Sequence, residues 1–460
     1  MTTKLIPKDW GLNVNDKHEL CAGKFSTVEL AKEYGTPLHV VHAERLKQTI
    51  NDFHKSFMTS YPGRISVHYA FKSNTVPGIL KIIKESDLKA EIMSLFELEL
   101  ALKIGYKGND IIVNGPHKPL EFLKKCLQNE VRLIIVDALN EIKILDQLCR
   151  ELHTDVNILL RINPDYVPKG MNYGTATASR KGCAFGLDMK GDEVDLAFSI
   201  LEKMERVRFQ GLHFHIGSGI SQPIDYLNAI NRLKPVVDKA MKKHFQINIL
   251  DIGGGIGSNT SREMTTMEML LYQGFERLPK LKRSTVGKTY QEFAIAITQG
   301  ITRLFNGQQM PELILEPGRC ITSSNQFLLL TVHDIKERPG VKKWLITDGG
   351  IGTVTMPTYY ECHQVFLCNE VNRPENGKVT IIGPVCFAGD IVYRNIPMPK
   401  VDPEEVIAIM DSGAYFTGWE SSFSFPRSAI IIVESFQHKL IRRRETFEDM
   451  VIRDDMEDGL

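Results

Sequence analysis

The sequence lacks most features that would take a chain out of the ordinary globular class. No stretch approaches the roughly 18 consecutive apolar residues of a membrane-crossing helix, so no membrane contact is expected. The opening "MTTKLIPKDWGLNVNDKHEL" has no apolar core of signal-peptide length, which predicts a cytoplasmic location. Neither sign of charge is in excess. The 56 Lys and Arg offset the 56 Asp and Glu, so there is no basic stripe for nucleic acid and no acidic tail for a charged partner. The eight cysteines (21, 126, 149, 183, 320, 362, 368, 386) form no CxxC pair. In a chain of 460 residues that predicts reduced thiols rather than a disulfide framework. HExxH, cysteine clusters and dense carboxylate sets are missing too, and no metal is expected. Solenoid repeats and low-complexity tracts are absent.

What is present is an alternation. Apolar, β-rich runs occur at "RISVHYAF" (64–71), "LKAEIM" (88–93), "DIIVNG" (110–115), "RLIIVD" (132–137), "NILLRIN" (157–163), "FQGLHFHI" (209–216), "INILDI" (247–252) and "PELILE" (311–316). Between them lie helical patterns such as "VPGILKIIKES" and "LFELELALKIGY", several ending on Gly or Asn. Eight strands alternating with helices predict an α/β fold, a (β/α)8 barrel. The Gly-rich loop 167–186 is expected to be ordered only in part or around a ligand.

Past residue 320 the rhythm changes. "FLLLTVHDIKE", "KWLITDGG", "CHQVFLCNE", "KVTIIGP", "EVIAIMDSGAY", "SAIIIVES" and "HKLIRRRE" read as strands joined by turns, an antiparallel β domain. "TPLHVVHAERL" (36–46) offers it one more strand. The expected division is a barrel over 44–322, with a β domain made from 1–43 and 323–460.

Chemistry in such a barrel gathers at the C-terminal ends of the strands. There the sequence places Lys72, then Glu91 with Ser94 and Glu97, Asn114, Arg161 and Asn163, His213 and His215 with Gly217–Gly219, the run "GGGIG" (253–257), and Glu316 followed by Arg319. Glycines after a strand let backbone N–H groups approach a phosphate. Arg319 suits a bidentate anion contact. A partly desolvated lysine can form a Schiff base, and a glutamate facing it suits a protonated ring nitrogen. Together these describe a pyridoxal phosphate site. Taken singly each has a plainer reading: Lys72 a surface loop lysine, His215 a satisfied strand histidine, "GGGIG" a tight turn, Cys386 a small core residue. Their joint placement at successive strand ends favours the site.

The motifs "HYAFKSN", "GLHFHIGSG", "LDIGGGIG", "LEPGR", "GPVCFAGD" and "SGAY" stand in the order found in fold type III pyridoxal phosphate-dependent decarboxylases. From about residue 36 to about 450 the chain resembles that family, which includes diaminopimelate and ornithine decarboxylases, and "LIRRRETFEDMV" resembles the diaminopimelate branch. The resemblance implies that pyridoxal 5′-phosphate is held by Lys72 as a Schiff base. It implies that His215 stacks on the ring, that Glu316 pairs with the ring nitrogen, and that Glu91 and Arg161 support ring and lysine. Ser218, Gly253, Gly254, Gly255, Arg319 and Tyr415 would hold the phosphate. Cys386 would protonate Cα from the partner subunit of a homodimer with shared sites. Arg319, Tyr360, Glu361, Phe387 and Tyr415 would meet an amino-acid substrate.

Three positions depart from the diaminopimelate pattern. Met356 replaces an arginine, Phe387 replaces an acid after the reactive cysteine, and Ala184-Phe185-Gly186 replaces a Lys-Phe-Gly ending. Losing an arginine and an acid removes the partners that offset desolvation of a zwitterionic side chain. The expected function is therefore decarboxylation of a variant or modified amino acid in a specialised biosynthetic pathway. Free meso-diaminopimelate in lysine biosynthesis and a non-catalytic regulatory binding protein are the alternatives. Racemisation is disfavoured by "GPVCFAGD".

Overall fold

The computed structural model describes residues 4–171, 174–283, 285–355 and 360–454. Its contacts divide into two compact units: Met1–Gln48 with Ser258–Val286 and Thr322–Leu460, and Thr49–Gly257 with Gly287–Ile321.

The second unit is a closed parallel barrel. Its eight strands are Ile65–Ala70, Lys89–Ile92, Ile111–Val113, Leu133–Val136, Val156–Asn163, Val207–His213, Ile249–Asp251 and Glu312–Leu315. Each pairs with its neighbour in parallel, and Leu313 opposite Ile65 closes the ring. A two-residue strand, Leu187–Asp188, adds to the end of the fifth, with Leu187 opposite Ile162. The apolar runs follow from burial on both faces, inward to the barrel and outward to the helices. Ile112, Leu133, Ile135, Leu159, Ile249 and Ile314 fill one interior cluster. The helices obey their sequence signals. Pro77–Glu85 buries Ile79, Leu80, Ile82 and Ile83. Ser94 caps Leu95–Ile104 through the Glu97 N–H, and Gly105, at φ 96°, ends that helix.

The first unit is built on a sheet in which Gln326–Arg338 is the long central strand. It pairs antiparallel with Lys342–Thr347, Val406–Ile409 and Leu38–His42. The "TPLHVVH" strand thus takes its place in this sheet. The pairing is mostly antiparallel, with Ala429–Val433 on Leu38–His42 and Lys342–Thr347 on Glu375–Ile382 running parallel. Ser258–Val286, which in sequence follows the seventh barrel strand, joins this unit, where Arg262–Glu263 pairs with Glu361–Cys362. The strand Ile391–Pro399 lies outside the expected set. Its register shifts against Glu375–Ile382, and Asn395 sits at φ 51°, so its sequence shows no clean alternation. The N-terminal strands Asn13–Val14, Leu20–Ala22 and Phe25–Ser26 are too short to leave a period.

Candidate active site

The first barrel strand ends at Ala70, and a single 3-10 turn, Phe71–Ser73, carries Lys72 off it. The Lys72 Nζ lies 2.7 Å from Glu91 Oε2 on the neighbouring strand. The two ends of this pair differ: the lysine side chain keeps 32% of its exposure and the glutamate 1%. Burial raises the Glu91 carboxyl above its ordinary range, with the Lys72 charge pulling it back. Its second oxygen, Oε1, is buried and finds no hydrogen-bond partner among the described residues.

Glu316, at the end of the eighth strand, is 3% exposed. Asn114 Nδ2, at the end of the third strand, stands 3.3 and 3.4 Å from its two oxygens. The amide orientation is fixed from the other side, where Asn114 Oδ1 accepts the Gly115 N–H at 2.8 Å and faces Arg161 Nη1 at 3.5 Å. Asn114 Nδ2 also reaches His213 Nε2 at 3.2 Å, so that ring nitrogen accepts and the ring proton sits on Nδ1. Burial, reinforced by the Arg161 charge, holds His213 well below the usual histidine range. His213 is therefore neutral at pH 7. Asp251, on the seventh strand, is fully buried and accepts the Gly253 N–H at 2.9 Å. Arg161 pairs with Asp137 at 3.2 Å and lies 4.5 Å over the Phe185 ring.

A third group of residues is rich in donors. Arg319 Nε and Nη2 each stand 3.3 Å from Ser218 Oγ. Beside them the chain bends through Gly253 at φ 65° and Gly255 at φ 101°, conformations that a side chain would strain. A Cβ on Gly254 would overlap the Glu316 carbonyl oxygen, and one on Gly255 the Gly217 carbonyl oxygen. The glycines thus let the strand ends pack backbone to backbone. His215 is partly exposed, yet its Nδ1 is buried, with no well-formed hydrogen bond among the described residues. Burial and the Arg161 and Lys72 charges keep it neutral.

The loop 167–186 is fastened to these strand ends at three described positions. Ala176 bridges to Gly217, Thr177 Oγ1 donates to the His215 carbonyl at 3.0 Å, and Asn163 Nδ2 donates to the Phe185 carbonyl at 3.1 Å.

The remaining expected residues lie in the first unit. Cys386 is exposed on a tight turn stapled by buried Asp390, whose carboxylate accepts the Val385 and Ile351 N–H groups at 2.7 and 2.6 Å. Phe387 is 52% exposed, with its ring 6.4 Å from that of Phe423. Glu361 is buried, and its Oε2 is held by His363 Nε2 at 2.9 Å. Burial opposes charge on His363, but the Glu361 hydrogen bond and charge outweigh it and raise the imidazole above its usual range. The Tyr360 carbonyl accepts the Met264 N–H at 2.6 Å. Tyr415 sits at φ 68° just before the short helix Phe416–Trp419. Met356 lies outside the described residues.

The structure thus gathers Lys72, Glu91, Arg161, His215, Ser218, Gly253–Gly255, Glu316 and Arg319 in the barrel unit. Asn114 and His213 are drawn in with them, having been read only as strand-end residues. The strand-end pattern does not single out Asp251. Its one signal is a carboxylate inside the apolar run "INILDI". An amine beside a buried carboxylate, a donor-rich glycine turn and a second buried carboxylate form a donor set that suits a phosphorylated pyridine aldehyde.

The chain is similar to known proteins over most of its length. The family model for the pyridoxal binding domain of pyridoxal-dependent decarboxylases matches residues 46–323, and that for their C-terminal sheet domain matches residues 235–413. Diaminopimelate decarboxylase of Methanocaldococcus jannaschii is 28% identical over 450 residues, covering 96% of this chain and 97% of that protein. The Bacillus subtilis enzyme of the same name is 26% identical over 440 residues, covering 95% of each. A crystal structure of the M. jannaschii enzyme in complex with L-lysine superposes with a TM-score of 0.86 at 26% identity, over 98% of this chain and 99% of that one. Lys72, the donor turn and the two buried carboxylates are thus read in the setting of a known chemistry: the chain belongs to the fold type III pyridoxal-dependent decarboxylases, amino-acid carboxy-lyases whose cofactor is pyridoxal 5′-phosphate.

Proposed function

We propose that this chain removes a carboxylate from the α carbon of an amino acid of the diaminopimelate kind, with Lys72 as the lysine that carries the cofactor. The observation behind this reading is the 2.7 Å contact of Lys72 Nζ with buried Glu91. It holds the amine at the strand end, and its counter-charge stays in place when the lysine gives up a proton. The bound cofactor supplies an electron sink for the pair left on Cα when CO2 departs. The chain's own residues do the rest. Ser218, Arg319 and the glycine turn through Gly254 and Gly255 would bind the phosphate, the Gly253 N–H being held by Asp251. Neutral His215 offers a flat ring face without a competing charge. Glu316, held by Asn114, keeps a carboxylate ready for a ring N–H, and Arg161 supports the ring side of the site. Cys386, exposed on its stapled turn, returns a proton to Cα from the partner subunit of a homodimer. The absence of any described helix long and apolar enough to cross a membrane is compatible with a cytoplasmic site of action.

Free meso-diaminopimelate is the first substrate to consider, because the relatives above bear its name. Phe387 favours a second reading, a substrate whose distal end is modified or uncharged. An exposed phenyl ring where an acid is expected provides no carboxylate counter-charge for a distal ammonium. Glu361 is already engaged by His363.

The test is CO2 release by the cofactor-loaded protein from meso-diaminopimelate, a distally acylated diaminopimelate, the two enantiomers of lysine and of ornithine, arginine and glutamate. Selective turnover of meso-diaminopimelate supports the first reading and sinks the second. Release only from a distally acylated diaminopimelate does the reverse. No release from any of these would overturn both.

A further inference from the structure

We infer that Asp251 is a neutral acid that shares one proton with Glu316, donating it to that carboxylate, and so acts as a positioning residue for Glu316. The inference rests on the reading above only in giving Glu316 to the cofactor's ring nitrogen. The proton sharing stands on the geometry of the protein alone.

Asp251 is 0% exposed and Glu316 3%. Their carboxyl oxygens, with a nitrogen of His213, lie within 4.8 Å of one another. One Asp251 oxygen, Oδ1, is used by the Gly253 N–H. The other, Oδ2, is buried and finds no hydrogen-bond partner among the described residues. A buried oxygen with no donor facing it is costly as an acceptor. As an O–H beside a carboxylate it is satisfied. Two buried carboxyls this close do not both ionise.

The surrounding charges decide which of them keeps the proton. Lys72 and Arg161 are the cations of the cluster, and each is already matched, by Glu91 and by Asp137. His213 is kept neutral by burial and the Arg161 charge. Among the described residues Glu91, Asp137, Glu316 and Asp251 thus share Lys72 and Arg161, and Glu97 adds a further carboxyl beside Glu91. Burial raises Glu316 as well, but Lys72 and Arg161 both favour its ionised form and Asn114 donates to it, so it is the better place for the remaining negative charge. Among the described residues, none of the groups named as acting on Asp251 is a cation. Burial and the Glu316 charge push it well above the carboxylate range, Glu91 adds to this, and only the Gly253 N–H pulls the other way. A donated O–H from Asp251 would occupy one side of Glu316 and fix its rotation, leaving an ionised oxygen for a ring N–H.

The experiment compares wild type with Asp251→Asn, in which an amide N–H2 replaces the O–H without adding charge. Infrared spectra of the cofactor-free protein at about pH 9, where Glu97, pushed up to about 7, has lost its proton, should contain the C=O stretch of a protonated carboxylic acid, and Asp251→Asn should remove it. A wild-type spectrum without that band, or a band unchanged in Asp251→Asn, overturns the inference. A second readout is stability against pH. An Asp that keeps its proton in the fold loses stability as pH rises above about 4, where the unfolded chain releases that proton. Asp251→Asn should flatten this slope, and an unchanged slope counts against proton sharing. If Asp251→Asn does not fold, the wild-type band still decides: a band that titrates away at the ordinary pH of an aspartate refutes the inference. Binding of pyridoxal phosphate to Lys72→Ala and wild type tests the cofactor reading separately. Its failure would leave the infrared result standing.

Discussion

Gly254→Ala is the sharpest test of how the glycine turn works. Gly254 has an ordinary backbone conformation, so the substitution carries no φ penalty. Its cost is purely spatial. The added Cβ would sit inside the contact shell of the Glu316 carbonyl oxygen, with the Glu316 Cβ 3.9 Å away. That carbonyl belongs to the backbone of the eighth strand end, and no flexible side chain is available to move aside. Relief requires a displacement of roughly 1 Å at the residue meant to meet the ring nitrogen, an error that costs on the order of 10²-fold in rate. Overpacking of a dense interior adds about 1–3 kcal/mol of destabilisation. Steady-state kinetics, a pyridoxal phosphate titration and a denaturant midpoint would read the three effects. The control is Gly274→Ala. Gly274 lies within the helix Thr266–Phe275, and its added Cβ would meet nothing within 4 Å. That change should leave the kinetics alone and stabilise the helix by about 0.5–1 kcal/mol. Unchanged kcat and cofactor affinity in Gly254→Ala would refute the spatial account of the turn.

Two further outcomes follow from the same description. Cys386→Ser replaces an exposed thiol with a much weaker acid, so turnover should fall by roughly 10²-fold or yield misprotonated product while pyridoxal phosphate binding is kept. An unchanged kcat would remove Cys386 from the proton step. Glu97 is pushed up to about 7 by burial and by the Glu91 charge. Between about pH 4, where an unfolded glutamate ionises, and about pH 7 the fold retains a proton that the unfolded chain has lost. Stability contributed at this position therefore falls as pH rises through that window and levels off above it. Glu97→Gln should flatten the slope in urea midpoints measured across the window, and an unaltered slope would contradict the origin given for the shift.

The sequence was most legible where one residue type breaks a strong pattern. Lys72 ends an apolar run, and eight such runs alternating with helical segments define the barrel and its active end. Glu316 and the glycine run could be placed because strand ends are countable. Contacts between distant strands could not be counted in this way. Asn114 joins Glu316 to His213 across the barrel interior, and Asp251 joins Glu316 through a shared burial. Neither relation leaves a spacing in the chain. In the other unit, Asn395 and the register shifts of Ile391–Pro399 erase the alternation that marks a strand. Ser258–Val286 goes with the sheet unit because Arg262 pairs with Cys362, a partner 100 positions away that no local pattern announces.

The account turns on Lys72. Borohydride reduction of the pyridoxal phosphate-loaded protein, followed by peptide mass spectrometry, locates the lysine that carries the cofactor. The account predicts that the modified peptide contains Lys72, and that Lys72→Ala shows neither modification nor CO2 release. Modification at any other lysine, or CO2 release retained by Lys72→Ala, would contradict it.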